Sequence, residues 1–490
     1  MMSLFVRLSK DDLRIILRDL GSIIFIIGYV LLLPLIVAYA AAEQHLYLAF
    51  IYPSFLAIWI GLFLRKKFNK SGETLLRHAM INAGLAWIII SLIGAFPYWF
   101  YGMGVLNSYF ESMSGFTTTG MTLISNVEIL PKCILFWRSL TQWIGGVGVI
   151  MLFMVILMQS RIVMSRFYFA EGRSERIKPG ISSTVKVIWK IYIFLTIIGI
   201  FLYFIAGMNV FDSVNHALTT LATSGYSTKN ASIASFDSVA IEFVAIILML
   251  IGGISFVVHF KMLEGDRKEL INNPEVRAFL IIIFAGTTLI FLNLFFEGYP
   301  IDRALRLAAF QAVSVGTTTG YSITSIDNFP DFSKVIFLFL MFTGACAGST
   351  GGGFKVLRVI ILIKLGYQEV MKSILPEKAV VPFKLRNKII EDRDMIRLAG
   401  LFFLYLFAVF LSTMLFTLTG YKPIESLSLA FSSMFNIGPT LINPTEWFNM
   451  GSQSKIILII GMWIGRLEIF PAFALISSLL IISRREKRSI

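Results

Sequence analysis

The sequence predicts an all-α polytopic membrane protein with four tandem helix–pore helix–loop–helix repeats around a pseudo-fourfold pore, plus an N-terminal two-helix hairpin. Two observations predict this fold class. The 490 residues are 57% hydrophobic and 15% charged, with a mean hydropathy of +0.79, far too apolar for a soluble protein with two or three cores. A short glycine-bearing loop also recurs about every hundred residues, each time between long apolar runs.

The recurring loop is clearest in SGFTTTGMTLI, at 114–124, and in VGTTTGYSIT, at 315–324. Weaker copies read LATSGYST, at 221–228, and NIGPTLI, at 436–442. Aligning one glycine of each copy gives the set Gly120, Gly225, Gly320 and Gly438. The spacing predicts one copy of the loop in each structural repeat.

Ten apolar spans can be drawn along the chain. They run roughly over residues 21–42, 46–64, 79–103, 131–159, 187–207, 236–260, 278–297, 332–363, 398–419 and 454–482. The first two form a hairpin without a glycine loop, so this hairpin stands outside the repeat. The predicted units are an N-terminal transmembrane hairpin at 1–75 and pore repeats at 76–160, 161–265, 266–370 (with an intramembrane loop) and 371–490.

An amphipathic segment of about ten to fifteen residues precedes each glycine loop, which is too short to cross a bilayer and is expected to be re-entrant. The four segments read VLNSYFESMSGF, FDSVNHALTTLAT, IDRALRLAAFQAVSV and KPIESLSLAFSSMF. Three of them carry an acid near the first turn, namely Asp212, Asp302 and Glu425. An acid there suits the positive end of a helix dipole, whether it caps the helix or also serves function.

The four loops indicate a cation filter. Backbone inside a bilayer must be hydrogen-bonded or must line a cavity, so four interrupted loops imply an internal polar lumen. Inward-turned carbonyl oxygens suit a cation, and glycine eases the required backbone twist. The alternative is that Thr and Gly serve helix packing, but four matched occurrences favour the filter.

A second repeated feature follows each loop, where the next span carries QWIGGVGV, MLIGGISF, GSTGGGFK or MWIGRLEI. The aligned positions are Gly146, Gly253, Gly352 and Arg466. An arginine at mid-membrane is expected to face a cavity, where it would form an electrostatic barrier below a cation filter. The alternative is an ion pair between Arg466 and Glu468.

The third copy is the richest in glycine and reads TGACAGSTGGGF, at 343–354. So many small and polar residues are expected to break the helix into a loop within the membrane, and that loop is interpreted as a movable gate. Packing against a small-residue surface is the alternative interpretation.

The net charge of +14 does not indicate a nucleic-acid partner. With the N-terminus inside, most Lys and Arg residues fall in the predicted cytoplasmic segments, which is the positive-inside bias. It predicts a multi-pass membrane protein with both termini in the cytoplasm. The predicted cytoplasmic linkers lie at 160–185, 261–277 and 366–397, and the last is either a plain loop or a docking site for a soluble partner.

Other chemistry is sparse. The two cysteines, Cys133 and Cys346, indicate no disulfide framework, and the four histidines show no metal-ligand spacing. There is no Walker loop or dinucleotide-binding motif, so no organic cofactor is expected in this chain. An intramembrane enzyme would need paired acids, a Ser–His or Ser–Lys pair, or metal ligands that face one cavity. The only candidates are Glu111, Glu128, Glu242 and Glu468. The chain is therefore not expected to be an enzyme.

Together these motifs resemble the superfamily of K⁺ transporters that includes TrkH, KtrB and the plant HKT proteins. The resemblance covers residues 76–490, and the additional N-terminal hairpin makes the TrkH type the closer match. One departure is Thr440, where the TrkH type carries another glycine. The resemblance implies K⁺ uptake through a pseudo-fourfold pore in each subunit, a homodimer in membrane lipid, and a cytoplasmic TrkA-like nucleotide-binding regulatory subunit built from RCK domains.

The resemblance also implies site residues. The K⁺ filter positions are Thr118, Thr119, Gly120, Thr223, Ser224, Gly225, Thr318, Thr319, Gly320, Asn436, Ile437 and Gly438. The gate positions are Gly344, Gly348, Ser349, Thr350, Gly351, Gly352, Gly353 and, as the barrier, Arg466. Superfamily members that favour Na⁺ often replace the first filter glycine by serine, so Gly120 points to K⁺.

The functional prediction is K⁺ uptake across the cell membrane through a gated, channel-like pore with a four-loop selectivity filter that holds K⁺. The alternative is a Na⁺-permeable protein or an ion-coupled (H⁺/Na⁺) K⁺ symporter of the same fold. A structural or receptor-like membrane protein would not explain four re-entrant loops.

Overall fold

The computed structural model describes residues 8–148, 177, 180–376, 384–385, 388–389 and 392–486. Within these ranges the chain is helical apart from its loops and one antiparallel pair of two-residue strands, β1 (Lys384–Leu385) and β2 (Lys388–Ile389). The all-α prediction is thus confirmed. The end of the predicted span at 131–159 and most of the predicted linker at 160–185 lie outside the described residues.

The N-terminal hairpin precedes the loop-bearing units. Its helices are α1 (Lys10–Val30), α2 (Pro34–Ala40) and α3 (Tyr47–Lys67), with a 3-10 turn at Gln44–Leu46. Ser9 and Asp12 form a capping box that starts α1. Gly21 of α1 and Gly61 of α3 let the two backbones approach closely, because a Cβ on Gly61 would lie 2.7 Å from the Gly21 carbonyl oxygen.

Four units follow, each with a first helix, a short pore helix and a second helix. Unit 1 contains α4 (Leu76–Gly94), α5 (Phe96–Phe100), α6 (Val105–Phe116) and α7 (Lys132–Val147). Unit 2 contains α8 (Ile181–Ile205), α9 (Val210–Leu221), a 3-10 turn at Ser232–Phe236, α10 (Val239–Gly253) and α11 (Phe256–Leu263), and α12 (Glu269–Asn272) follows. Unit 3 contains α13 (Pro274–Phe296), α14 (Ile301–Gly316), a 3-10 turn at Ile326–Asn328, α15 (Asp331–Thr343) and α16 (Val356–Ile374). Unit 4 contains α17 (Asp392–Leu418), α18 (Pro423–Met434), α19 (Pro444–Phe448), α20 (Ser452–Arg466) and α21 (Phe470–Glu486).

Several helices are long and apolar enough to cross a membrane. Six such stretches lie at 10–40, 44–67, 76–100, 181–205, 274–296 and 394–418, and two bent pairs at 239–263 and 452–478 raise the number to eight if each is one span. Large apolar side chains are exposed on these helices, including Phe284 at 74% and Leu418 at 81%. Such an exterior suits lipid rather than water, so the chain is a multi-pass membrane protein.

Within the part of the chain that the structure describes, the second helix is broken in units 2, 3 and 4, although the sequence predicts a break only in the third. In unit 3 residues 344–355 separate α15 from α16. In unit 2 the chain bends by 100° after α10, where Ile254 is extended and Ser255 caps α11. In unit 4 it bends by 114° after α20, where Glu468 and Ile469 both have positive φ.

A glycine turn precedes every pore helix by three residues. These glycines are Gly102 (φ 105°), Gly207 (φ 110°), Gly298 (φ 87°) and Gly420 (φ 102°). A Cβ on any of them would meet nothing within 4 Å, so their backbone conformation rather than crowding explains the glycine. The turn reverses the chain from the first helix into the re-entrant pore helix.

Candidate functional site

The backbone after each pore helix adopts the same unusual conformation, with positive φ at alternate residues. The φ angles are 58° and 79° at Thr118 and Gly120, 49° and 76° at Thr223 and Gly225, 60° and 82° at Thr318 and Gly320, and 53° and 107° at Asn436 and Gly438. Left-handed backbone is uncommon for any residue other than glycine, so four matched occurrences indicate one shared architecture. Alternation of hand turns successive peptide groups toward one side of the loop.

The loop N–H groups are bound back to the pore helices. At the middle position of each loop the N–H donates to the carbonyl oxygen five residues earlier. These bonds are Thr119 to Ser114 at 3.0 Å, Ser224 to Thr219 at 3.1 Å, Thr319 to Ser314 at 2.9 Å and Ile437 to Ser432 at 3.0 Å. These bonds hold each loop against its own pore helix.

The four loops meet in a closed ring, called here the loop ring (118–120, 223–225, 318–320 and 436–438). Each loop glycine lies against the carbonyl oxygen of the middle residue in the next loop. The pairs are Gly120 with Ser224, Gly225 with Thr319, Gly320 with Ile437, and Gly438 with Thr119. An added Cβ would collide with that oxygen in the first three pairs and lie 2.7 Å from it in the fourth. Each glycine is therefore required by its neighbour as well as by its own φ.

Two polar side chains join neighbouring loops of the ring. Gln142 of α7 binds the second loop, because its Nε2 donates to the Ser224 carbonyl oxygen at 2.9 Å and its Oε1 accepts from the Ser224 hydroxyl at 2.8 Å. Asn436 stands where the other loops have Thr, and its Nδ2 donates to the Thr119 hydroxyl at 2.9 Å. These bonds fix loop 2 to unit 1 and loop 4 to loop 1.

A buried ion pair supports the loop ring through the segments that follow its first two loops. Glu111 of the first pore helix lies 2.9 Å from Arg138 of α7, and both side chains are almost fully buried. Glu111 also accepts from the Leu123 N–H at 3.2 Å, while Arg138 donates to the Ser227 carbonyl oxygen at 3.2 Å. The guanidinium lies 4.0 Å from the ring centroid of Tyr226. The pair connects the segments that follow loops 1 and 2.

Residues 344–355, called here the intramembrane loop, lie directly against the loop ring. The Gly352 N–H donates to the Thr318 hydroxyl at 2.6 Å, and the Gly353 N–H donates to the Phe435 carbonyl oxygen at 3.0 Å. The Thr350 hydroxyl donates to the Leu221 carbonyl oxygen at 2.8 Å. The segment thus contacts the ends of pore helices from units 2 and 4 and the third loop itself.

The second helix of units 1, 2 and 4, and the intramembrane loop of unit 3, approach the end of their own unit's pore helix through glycine. A Cβ on Gly145 would collide with the Phe116 carbonyl oxygen, and one on Gly465 with the Met434 carbonyl oxygen. In units 2 and 3, Cβ atoms at Gly252 and Gly351 would lie 3.2 Å and 3.1 Å from the Leu221 and Thr317 carbonyl oxygens. The close approach thus occurs one residue before the aligned positions predicted from the sequence. The fourth unit has its glycine too, and Arg466 follows it.

Arg466 reaches across from unit 4 to unit 1. Its Nη1 donates to the Thr118 hydroxyl at 3.3 Å, and its Nη2 donates to the carbonyl oxygens of Gly145 and of Gly146, the latter at 3.1 Å. The guanidinium lies 5.4 Å from the ring centroid of Trp87. Glu468, the alternative partner suggested by the sequence, is ion-paired with Arg358.

Comparison with known proteins identifies the family of this architecture. The family model for TrkH, described as a cation transport protein, matches residues 48–481. The chain belongs to the TrkH family of cation transport proteins.

The relatives match along nearly the whole chain. An uncharacterised cation transporter of Methanocaldococcus jannaschii is 37% identical, over 96% of this chain and 97% of that protein. The Trk system potassium uptake protein TrkH of Escherichia coli K12 is 33% identical, over 94% of this chain and 98% of that protein. The crystal structure of the potassium transporter TrkH from Vibrio parahaemolyticus aligns with a TM-score of 0.84 at 30% identity, covering 94% of this chain and 98% of that one.

The structure of this TrkH-family chain brings all the sequence-predicted site residues together. The twelve loop positions form the loop ring, the glycine-rich segment lies against it, and Arg466 bonds to its first loop. The four acids considered for catalysis are separated into individual contacts: Glu111 with Arg138, Glu242 with Arg306, Glu468 with Arg358, and Glu128 with the Asn230 N–H.

Sequence reasoning missed Gln142 and Arg138 as ring-supporting residues. Both are polar side chains inside an apolar span, and that is itself a signal, because such residues in a membrane are expected to face the protein interior. Their partners could not be named, since the hydrogen bond from Gln142 to Ser224 spans 82 residues of sequence.

Proposed function

We propose that this chain takes up K⁺ across the cell membrane through a gated, channel-like pore. The observation that carries the proposal is the closed loop ring, in which each loop presents a backbone carbonyl oxygen to the glycine of the preceding loop. Rings of carbonyl oxygens replace the hydration shell of K⁺ in selectivity filters. The four pore helices end at the ring, so their negative dipole ends also favour a cation there. Thr118 to Gly120 and their counterparts are thus the K⁺-binding positions.

The names of the relatives point to the same ion, since several are potassium uptake proteins. Gly120 adds to this, because its counterpart in Na⁺-favouring members of the superfamily is often serine. Inward K⁺ movement would be driven by the membrane potential, which contributes about 2.3 kcal/mol per unit charge per 100 mV.

In this proposal the intramembrane loop is the gate and Arg466 is an electrostatic barrier beneath the filter. The hydrogen bonds from Gly352 to Thr318 and from Gly353 to Phe435 support this role, because they hold the loop against the third filter loop and the end of the fourth pore helix. The guanidinium of Arg466 adds positive charge beside the first filter loop, which disfavours a cation resting there.

The proposed assembly is a homodimer in the prokaryotic cell (inner) membrane with both termini in the cytoplasm. The relatives named as parts of a Trk system suggest further subunits, and a TrkA-like nucleotide-binding subunit is the proposed regulator. The four repeats at 76–160, 161–265, 266–370 and 371–490 each supply one quarter of the filter.

Ion flux into liposomes that contain the purified chain tests the proposal. Rb⁺, which substitutes for K⁺, is expected to enter much faster than Na⁺ under an inside-negative potential, with protein-free liposomes as the control. Rb⁺ influx no faster than Na⁺ influx would sink the K⁺ assignment and favour the Na⁺-permeable alternative. A proton gradient that drives Rb⁺ accumulation without a membrane potential would show a coupled symporter instead.

A further inference from the structure

Glu275 contacts the first half of the intramembrane loop and the helix that follows the loop. It lies at the second position of α13, and its side chain is buried at 6% exposure. Its Oε1 accepts hydrogen bonds from the backbone N–H groups of Ala347 at 2.5 Å and Leu357 at 3.2 Å. Ala347 lies in the first half of the loop, and Leu357 lies just beyond its end, in α16. One carboxylate oxygen therefore joins the loop to α16.

The same carboxylate caps the helix that follows the loop. Helix α16 has Lys355 at its N-cap position, with φ 84° and no side-chain cap hydrogen bond, and the Lys355 ammonium donates to the Gly351 carbonyl oxygen. The first N–H groups of a helix need acceptors from elsewhere, and an anion at that end is favoured by the helix dipole. Glu275 supplies both to α16 from the neighbouring helix.

Other hydrogen bonds also hold the loop, including two that join its first and last residues, from the Ala345 N–H to the Gly352 carbonyl oxygen at 3.4 Å and from the Val356 N–H to the Ala345 carbonyl oxygen at 3.2 Å. Thr350 binds unit 2 through the Leu221 carbonyl oxygen, and Gly352 binds the third filter loop through Thr318. For the loop to move out of the proposed pore, its first half must separate from α16, or α16 must move relative to α13. Either motion breaks at least one of the two hydrogen bonds to Glu275.

We propose that Glu275 is the latch that holds the intramembrane loop closed, acting as a positioning residue rather than an ion ligand. This inference rests on the proposed gate function of the loop. Helix α13 begins at Pro274, within the predicted linker at 261–277, and the Asn273 Oδ1 accepts from the Glu275 N–H at 3.0 Å. A soluble partner that displaces this linker displaces the latch, which gives the partner a route to the gate through unit 3.

A matched pair of alanine substitutions tests the latch. Glu275→Ala removes the carboxylate from the loop and from α16. Glu43→Ala is the control, because Glu43 likewise accepts two backbone N–H groups at the start of a helix, from Lys132 at 2.7 Å and Cys133 at 2.9 Å, but lies in the N-terminal hairpin. The full chain is reconstituted in liposomes without a partner. Rb⁺ influx and amide hydrogen exchange of residues 345–357 are measured.

Glu275→Ala is expected to raise Rb⁺ influx about tenfold, the ratio that corresponds to about 1.4 kcal/mol in the opening equilibrium. It is also expected to speed exchange of the loop amides, whereas Glu43→Ala changes neither. The ratio of Rb⁺ to Na⁺ influx should stay at its wild-type value, since the filter is intact. Glu275→Gln keeps an oxygen acceptor without the charge, and a smaller rise is expected.

Three results would overturn the latch: unchanged loop exchange in Glu275→Ala, faster exchange without faster influx, or an equal effect of Glu43→Ala. If Glu275→Ala does not fold, Glu275→Gln decides by the same criteria. Rb⁺ influx at the level of empty liposomes in every variant would contradict the K⁺ proposal instead. Loop exchange would still report whether Glu275 holds the loop.

Discussion

At the residue scale, the loop glycines are constrained both by their own backbone conformation and by a neighbouring carbonyl oxygen. Gly320 combines φ 82° with direct contact against the Ile437 carbonyl oxygen. Gly298 has φ 87° but open space around its Cα. A substitution at the first changes both conformation and contact, whereas one at the second changes conformation alone. The two glycines therefore form a matched comparison.

Gly320→Ala is expected to abolish the preference for Rb⁺ over Na⁺, because the new methyl group forces loops 3 and 4 apart and moves their carbonyl oxygens. Gly298→Ala is expected to cost about 1–2 kcal/mol of stability from its left-handed backbone and to keep the preference. Influx of the two ions into liposomes measures the ratio, and thermal unfolding measures stability. A wild-type ratio in Gly320→Ala would show that the ring does not select.

Arg466 is the second residue whose role can be isolated. If its charge is a barrier, Arg466→Ala raises Rb⁺ influx while the ratio of Rb⁺ to Na⁺ influx stays constant, and Arg466→Lys stays near wild type. If it mainly holds the first loop through Thr118, the ratio falls in both variants, since Lys lacks the planar fork that reaches several acceptors. Unchanged influx in Arg466→Ala counts against the barrier role.

The sequence predicted the loop glycines but not the residues that brace them, for a physical reason. Positive φ is a local demand that only a few residue types satisfy, so it leaves a readable pattern in each repeat. Gln142 and the ion pair of Glu111 with Arg138 instead make contacts between residues that are distant in the sequence and become neighbours only in the folded structure. Asn436 illustrates the limit, since its place in the ring was predicted but its bond to Thr119 was not.

At the element scale, the second helices of units 2, 3 and 4 are broken at corresponding places in their units, but different residues cause the breaks. The break in unit 3 follows from consecutive glycines, which is why it was predictable. The breaks in units 2 and 4 occur at Ile254 and at Glu468–Ile469, residues that ordinarily continue a helix or strand. Tertiary contacts impose those conformations, including the ion pair of Glu468 with Arg358, so local propensity could not reveal them.

The intramembrane loop is the element whose removal should change flux most. Deleting part of 348–353 removes the Thr350 and Gly352 hydrogen bonds that hold the loop against units 2 and 3. The shortened protein is expected to conduct Rb⁺ without any partner, at a rate well above wild type in the same liposomes. An equal shortening of the link between α3 and α4, at 69–73, serves as the control. A pore that stays closed after deletion would rule out the loop as the gate.

At the scale of the whole molecule, the pattern of hydrophobic and charged residues is what predicts the fold. The apolar spans, the hairpin and the short re-entrant helices all follow from where polar backbone can be tolerated in a bilayer. The closed order of the ring, from loop 1 through loop 4 and back to loop 1, does not follow from the sequence, because it depends on how four units pack. Close contact of Gly438 with Thr119 is what closes it.

The charge distribution makes a prediction about the whole chain in its membrane. The end of α3 and the link to α4 carry Arg65, Lys66, Lys67 and Lys70, whereas the segment after the first loop of the ring carries Glu128. We therefore predict that the first faces the cytoplasm and the second the outside. Cysteines at the exposed positions Lys70 and Ser125 report the two sides, with little background because Cys133 and Cys346 are buried. An impermeant maleimide is expected to label Ser125→Cys in intact cells and Lys70→Cys only in inside-out vesicles. The reverse pattern would invert the topology and place the gate on the outer side of the filter.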